Sequence, residues 1–246
     1  NGICSLNAGT DRLAMSCMMT FDVNGNVLDH TITESVICVD ERMSYTGVKA
    51  ILEGQEHPEG EREDIRALCF LMKEAAAILK EKRRKRGAID FDFPESKIIV
   101  DDKGYPIDIH PYERNVATDI IEDFMLLANE TVAEDYFWQE IPFLYRTHET
   151  PDSDKIKKLD TFIHNFGYYM KTGRENFHPK EIQKLLFSLE GEPEEPLISR
   201  LALRSMKQAK YTTLNVGHFG LSTQYYTHFT SPIRRYPDLQ IHRIIK

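Results

Sequence analysis

An α+β fold, with β-hairpins and a mixed sheet packed against several helices, is what this sequence predicts, on three observations. Apolar, β-rich runs flank Asn24-Gly25 and again Asp102-Lys103-Gly104, the pattern of two hairpins. Other stretches carry apolar residues at helical spacing. The two patterns mix without the regular β-α-β alternation that announces a parallel sheet.

The elements follow in order. The first 50 residues read as mostly β, with two runs in RLAMSCMMTFDVNGNVLDHTITESVICV. A helix is predicted from about Glu63 to Lys85, with Ile65, Leu68, Cys69, Met72, Ala75, Ala76 and Leu79 on its apolar side. Its basic last turn and Gly87 suit a helix end. The hairpin KIIVDDKGYPIDI comes next, then a helix from about Asn115 to Asp135 with Ala117, Ile120, Ile121, Phe124, Leu127, Ala128 and Thr131 facing a core. Further helices are expected near Lys155 to Lys171, Lys180 to Leu189 and Leu197 to Lys210.

Composition bounds the class. The 246 residues suffice for a sizeable core, and no apolar run approaches the roughly 18 residues that would span a bilayer. Cys4, Cys17, Cys38 and Cys69 form no C-x-x-C pair, which points to free thiols and a cytoplasmic protein. Net charge is −8, yet from Arg200 to Lys246 eight Lys/Arg oppose the single acid Asp238, so that tail is +7 and the rest −15. Such asymmetry lets an acidic protein present a cationic surface to phosphates.

The chemistry concentrates in YTHFTSPIRRYPDLQIHR, Tyr226 to Arg243. A proline five residues into a helix forfeits a hydrogen bond, so Pro237 places T-S-P-I-R-R-Y in a turn and starts the regular helix at 237. Arg234 and Arg235 then stand just ahead of a helix N-terminus, where guanidinium forks could hold an anion. The same spacing equally allows Arg234 to pair with Asp238 in water.

This segment resembles the signature of the ribonuclease II/ribonuclease R family, closest to the ribonuclease R branch. NGICSLNAGTDRLAMS, RMSYTGV, ERNVATDIIEDFMLLANETVA and ISRLALRSMKQAKY support the resemblance in the same order along the chain. The resemblance implies one partial catalytic domain over 1–246, from a processive, monomeric 3′→5′ exoribonuclease acting on single-stranded RNA with Mg²⁺. The family's metal-binding aspartate cluster matches a region ahead of Asn1. No D-x-D-D run stands near the start, and Asp101-Asp102 is read as a solvated turn. This chain alone is therefore expected to hydrolyse little and to hold no metal ligands; the far end is expected to be cut within the last helix.

Residue by residue, the resemblance puts Arg234 or Arg235 on the scissile phosphate. It puts Phe91, or alternatively Phe93, against the terminal base, where stacking tolerates any sequence. Tyr45 and Glu122 match the sugar-recognising positions, a carboxylate accepting from the 2′-OH that DNA lacks. Asn115, Glu122 and Asn129, seven apart, fall on one polar stripe of their helix. Thr118 stands where the family more often has histidine. Arg204, Lys207 and Lys210 recur every three residues and could track phosphates along one helix. The same residues would also suit an RNA-binding or regulatory module without catalysis.

Overall fold

The structure, a computed structural model, describes residues 2–55, 57, 59, 62–91, 95–112, 114–172 and 177–246. Among them lie six strands and seven helices, an α+β arrangement. The three ladders are antiparallel, and parallel pairing occurs at isolated bridges, Ala8 with Val39 and His148 with His218. The chain divides into two compact units. One comprises Asn1–Arg42, Ile78–Asp90 and Phe124–Lys246; the other comprises Met43–Ala77 and Phe91–Asp123.

The first unit opens on the expected hairpin, β1 (Asp11–Phe21) with β2 (Val27–Cys38). Asp22 Oδ1 accepts from the amides of Asn24 and Asn26, and Gly25 supplies the left-handed φ of 77°. Met15, Cys17 and Ile32 pack against a core of Val132, Ala133, Tyr136, Phe143, Tyr145, Phe229 and Ile241. Burial, with Asp135 adding to it, pushes the Cys17 thiol up to about 11, so it stays protonated and inert. The end of α2 (Glu63–Arg86) belongs here: the amides of Gly87 and Ala88 turn back onto Arg83 O.

Helices α4 (Ser153–His164), α5 (Pro179–Leu189) and α6 (Glu195–Ser205) bury Ile156, Leu159, Ile163, Ile182, Leu185, Leu189, Ile198 and Ala202. Asp152 caps α4 through the amides of Asp154 and Lys155. The first and third of these helices are shorter than expected. α4 stops before Gly167, whose φ is 85°, and α6 stops at Ser205 because Met206 is extended, with ψ 159°. Strand β5 (Tyr145–Thr147) pairs with β6 (Lys210–Thr212), and α7 (Tyr236–Ile245) closes the unit.

The second unit holds α1 (Tyr45–Leu52), the hairpin of β3 (Glu95–Val100) and β4 (Pro106–Tyr112), and the first turns of α3 (Val116–Trp138). Helix α1 corrects the expectation that the first 50 residues are mostly β. Ser44 caps it, its Oγ accepting from Gly47 N at 3.0 Å and donating to Glu59 Oε1 at 2.8 Å. At the β3–β4 turn Asp101 Oδ1 accepts from the amides of Lys103 and Tyr105, so this carboxylate shapes a turn.

Candidate functional site

The segment 226–235 is anchored at nearly every other residue. Tyr226 O accepts from Arg146 N at 2.9 Å and Thr227 Oγ1 donates to Leu144 O at 2.7 Å, which lay the segment along β5. Phe229 N donates to Asn129 Oδ1 at 2.9 Å, and Phe229 O accepts from His242 Nε2 at 2.9 Å. His242 is thereby structural. Asn129, buried in α3, also donates to Tyr226 Oη at 3.4 Å. With Tyr226, Thr227 and Phe229 buried, His228 is half-buried and Ile233 and Arg234 are exposed.

The turn at 231–234 leads into α7, with Arg235 at its N-cap. Asp238, fully buried, takes Arg235 in a two-pronged pair, Nε to Oδ2 at 2.9 Å and Nη2 to Oδ1 at 2.7 Å, and accepts from Ser231 N at 2.7 Å. The carboxylate that the spacing also allowed to Arg234 thus belongs to Arg235. Arg234 is exposed, and its side chain has no hydrogen bond or ion pair among the described residues. One guanidinium builds the helix start; its neighbour is free.

Beside this turn, Arg146 and Tyr211 face each other across the β5–β6 ladder, the guanidinium carbon 4.7 Å from the ring centroid. Tyr211 Oη lies 2.6 Å from His228 Nδ1. Burial and then Arg235 hold His228 down to about 4, with Arg146 and Arg234 adding to the effect against Asp238. The imidazole is neutral at pH 7 and shares this hydrogen bond with the phenol. Farther along, His218 is held down to about 3 by burial, then by His148 and Arg146. The amides of Gly220 and Leu221 donate to His148 Nδ1 and His218 Nδ1. Sequence reasoning passes over Arg146, Tyr211 and His228. Their one signal is aromatic-basic neighbours, which strand pairing alone brings together.

The remaining expected residues are placed as follows. Arg204 ends α6, exposed. Lys207 lies beyond the helix and Lys210 in β6, so the three do not line one helix as expected. Glu149 takes Lys207 at 2.8 Å and also Lys210, and these lysines hold its carboxyl down to about 2. In the second unit, Tyr45 is half-exposed at the first turn of α1. Glu122 pairs with Arg114 at 2.9 Å. Phe91 is half-buried, and Phe93 lies outside the described residues.

The expected polar stripe dissolves. Asn115 Oδ1 caps α3 through the amides of Ala117 and Thr118, Glu122 is ion-paired, and Asn129 is core. Thr118 serves the same cap, its Oγ1 accepting from Asn115 N at 3.0 Å. Among the described residues, no group of three or more His, Cys, Asp or Glu side chains could hold a metal ion. Among them too, no helix is long and apolar enough to cross a membrane.

An α+β chain with this arginine-bearing turn is matched along its whole length by one family. Residues 1–246 match the RNB domain, and the chain belongs to that family. It is 44% identical over 246 residues to ribonuclease R 1 of Lactococcus lactis, covering 100% of this chain and 30% of that protein. It is 45% identical over 244 residues to ribonuclease R of Aquifex aeolicus, covering 99% and 34%. The fold superposes on Mycoplasma genitalium RNase R, solved in complex with ribose-methylated single-stranded RNA, with a TM-score of 0.94 at 29% identity, covering 100% of this chain and 38% of that one. The chain thus spans about a third of the length of these relatives.

Proposed function

We propose that this chain forms part of a processive 3′→5′ exoribonuclease, acting as a monomer in the cytoplasm on single-stranded RNA and releasing nucleoside 5′-monophosphates. Membership of the RNB family and the likeness to ribonuclease R support the class. The observation that carries the assignment of residues is the division of labour at 234–238. Arg235 is consumed by buried Asp238, while the exposed side chain of Arg234 has no hydrogen bond or ion pair among the described residues. Arg234 is accordingly our choice for the group on the scissile phosphate, where a planar fork meets two oxygens and strengthens as charge builds.

Phe91 is assigned to the terminal base, and Tyr45 and Glu122 to the sugar. The second oxygen of Glu122 is available to accept from a 2′-OH while Arg114 holds the first. Arg204 would follow the phosphate backbone; Lys207, tied to Glu149, is the weaker candidate. Mg²⁺ would supply a nucleophile and steady the leaving oxygen. The described residues do not fit such an ion, and Arg234, Phe91, Tyr45 and Glu122 meet the RNA through their own side chains.

The test is Mg²⁺-dependent release of monophosphates from single-stranded RNA by the intact protein. Arg234→Ala is expected to lower kcat by about 10²–10³-fold, as for loss of one transition-state donor. Wild-type turnover in that variant would overturn the assignment.

A further inference from the structure

Most cations of the first unit near this turn are already spent. Asp238 neutralises Arg235, Glu149 holds Lys207 and Lys210, and Glu130 holds Arg86 in two bonds at 2.6 and 2.9 Å. Arg146, like Arg234, is not spent. It has no carboxylate partner and no side-chain hydrogen bond among the described residues, and it is only half-buried. Its guanidinium lies over the face of Tyr211. A cation–π contact engages the plane of a guanidinium and leaves its in-plane N–H donors free.

Three further facts make this a prepared position. Arg146 and Tyr211 are direct partners in the β5–β6 ladder, and Arg146 N is bonded to Tyr226 O, so the backbone beneath the guanidinium is fixed. Tyr211 is held in turn by His228. His228 feels Arg146, Arg234 and Arg235 together, with Asp238 the one acid acting on it, and Asp238 is committed to Arg235. Near one imidazole, therefore, Arg146 and Arg234 have no carboxylate partner among the described residues. Cations without a paired acid raise the local attraction for an anion.

We propose that Arg146, laid on Tyr211, is a phosphate-binding residue that grips a second phosphodiester of the same RNA strand whose reacting phosphate meets Arg234. This rests on the exoribonuclease assignment above and deepens it. Arg146 is a positioning residue. The stacked, ladder-borne guanidinium loses little freedom on binding, which favours a grip on the backbone without regard to base.

The experiment measures affinity of the intact protein for a 2′-O-methyl oligoadenylate in EDTA across a range of KCl concentrations. Wild type is compared with Arg146→Met, Arg146→Lys and Arg234→Ala. Methionine keeps an unbranched chain over Tyr211 and removes the charge; Arg146→Gln replaces it should the methionine variant fail to fold. For the folded neutral variant the slope of log K against log[KCl] should become shallower by about 0.7, the increment for one single-strand phosphate. Arg146→Lys should keep the slope. An unchanged slope in the neutral variant, alongside a shallower one in Arg234→Ala, would sink this inference alone. A wild-type affinity indifferent to salt would sink the exoribonuclease assignment with it.

Discussion

Arg234 and Arg235 share charge, reach and turn, yet only one of them meets a carboxylate. Asp238 stands four residues from the first and three from the second, and both spacings close an ion pair on a helix. Arg234, however, lies ahead of α7, where helical spacing does not apply, whereas Arg235 is the N-cap and its side chain folds over the first turn. Sequence spacing could not choose between them; the position of the helix start did. Asp238 is fully buried and binds both Arg235 and Ser231 N. Removing it leaves the guanidinium and an amide without their partner. Asp238→Ala should therefore cost about 3 kcal/mol in urea unfolding, the low end for a broken buried pair because Arg235 can still reach water. Arg234→Ala, which breaks nothing, should stay within about 0.5 kcal/mol of wild type. The two variants thus separate the arginine that is paired in the fold from the one that is not.

At the scale of elements, hairpins and long helices were legible because their signals are local. Asn24-Gly25 and the 3.6-residue apolar rhythm of α2 need no distant partner. The misses share one cause, tertiary contact overriding local preference. Helix α1 hides behind Thr46-Gly47, poor helix formers, and depends on Ser44 with Glu59 reaching back to it. Helix α6 stops short of Lys207 and Lys210 because Glu149 holds both and Lys210 joins the ladder with β5. The polar stripe on α3 fails at Asn129, whose amide satisfies backbone 100 residues away. Gly87 reads from sequence as the stop of α2, and the structure supplies the physical reason. Its φ is 102°, and a Cβ there would lie 3.0 Å from Lys180 Cβ. Gly87→Ala should destabilise by about 1–3 kcal/mol in thermal or denaturant melts, from backbone strain together with the crowded contact. A neutral outcome would mean that the junction of α2 with α5 yields easily.

Across the whole molecule, charge counting set an expectation that pairing then revised. The eight cations of the tail promised a cationic surface, but Glu149, Asp238 and Glu34 pair with four of them, and Arg146, outside the tail, adds one. Half-buried imidazoles set a further global property. His218 is held near 3 and His228 near 4, both below the ordinary 6.5. Below pH 6.5 the unfolded chain takes up protons that the folded one refuses, so stability is lost as pH falls toward 4 and is unaffected above 6.5. For His218 alone the loss should approach about 1 kcal/mol per pH unit. His218→Asn, keeping an acceptor for Leu221 N, should flatten the melting temperature against pH relative to wild type; parallel curves would refute this. By itself the sequence determined the α+β class, most element positions and the family signature at Tyr226 to Arg243, all encoded in neighbours along the chain. Only the tertiary structure decided which arginine is free, which lysines are silenced, and that Arg146 stands over Tyr211. Those outcomes depend on carboxylates and strands that folding brings together from distant positions, and no local pattern records them.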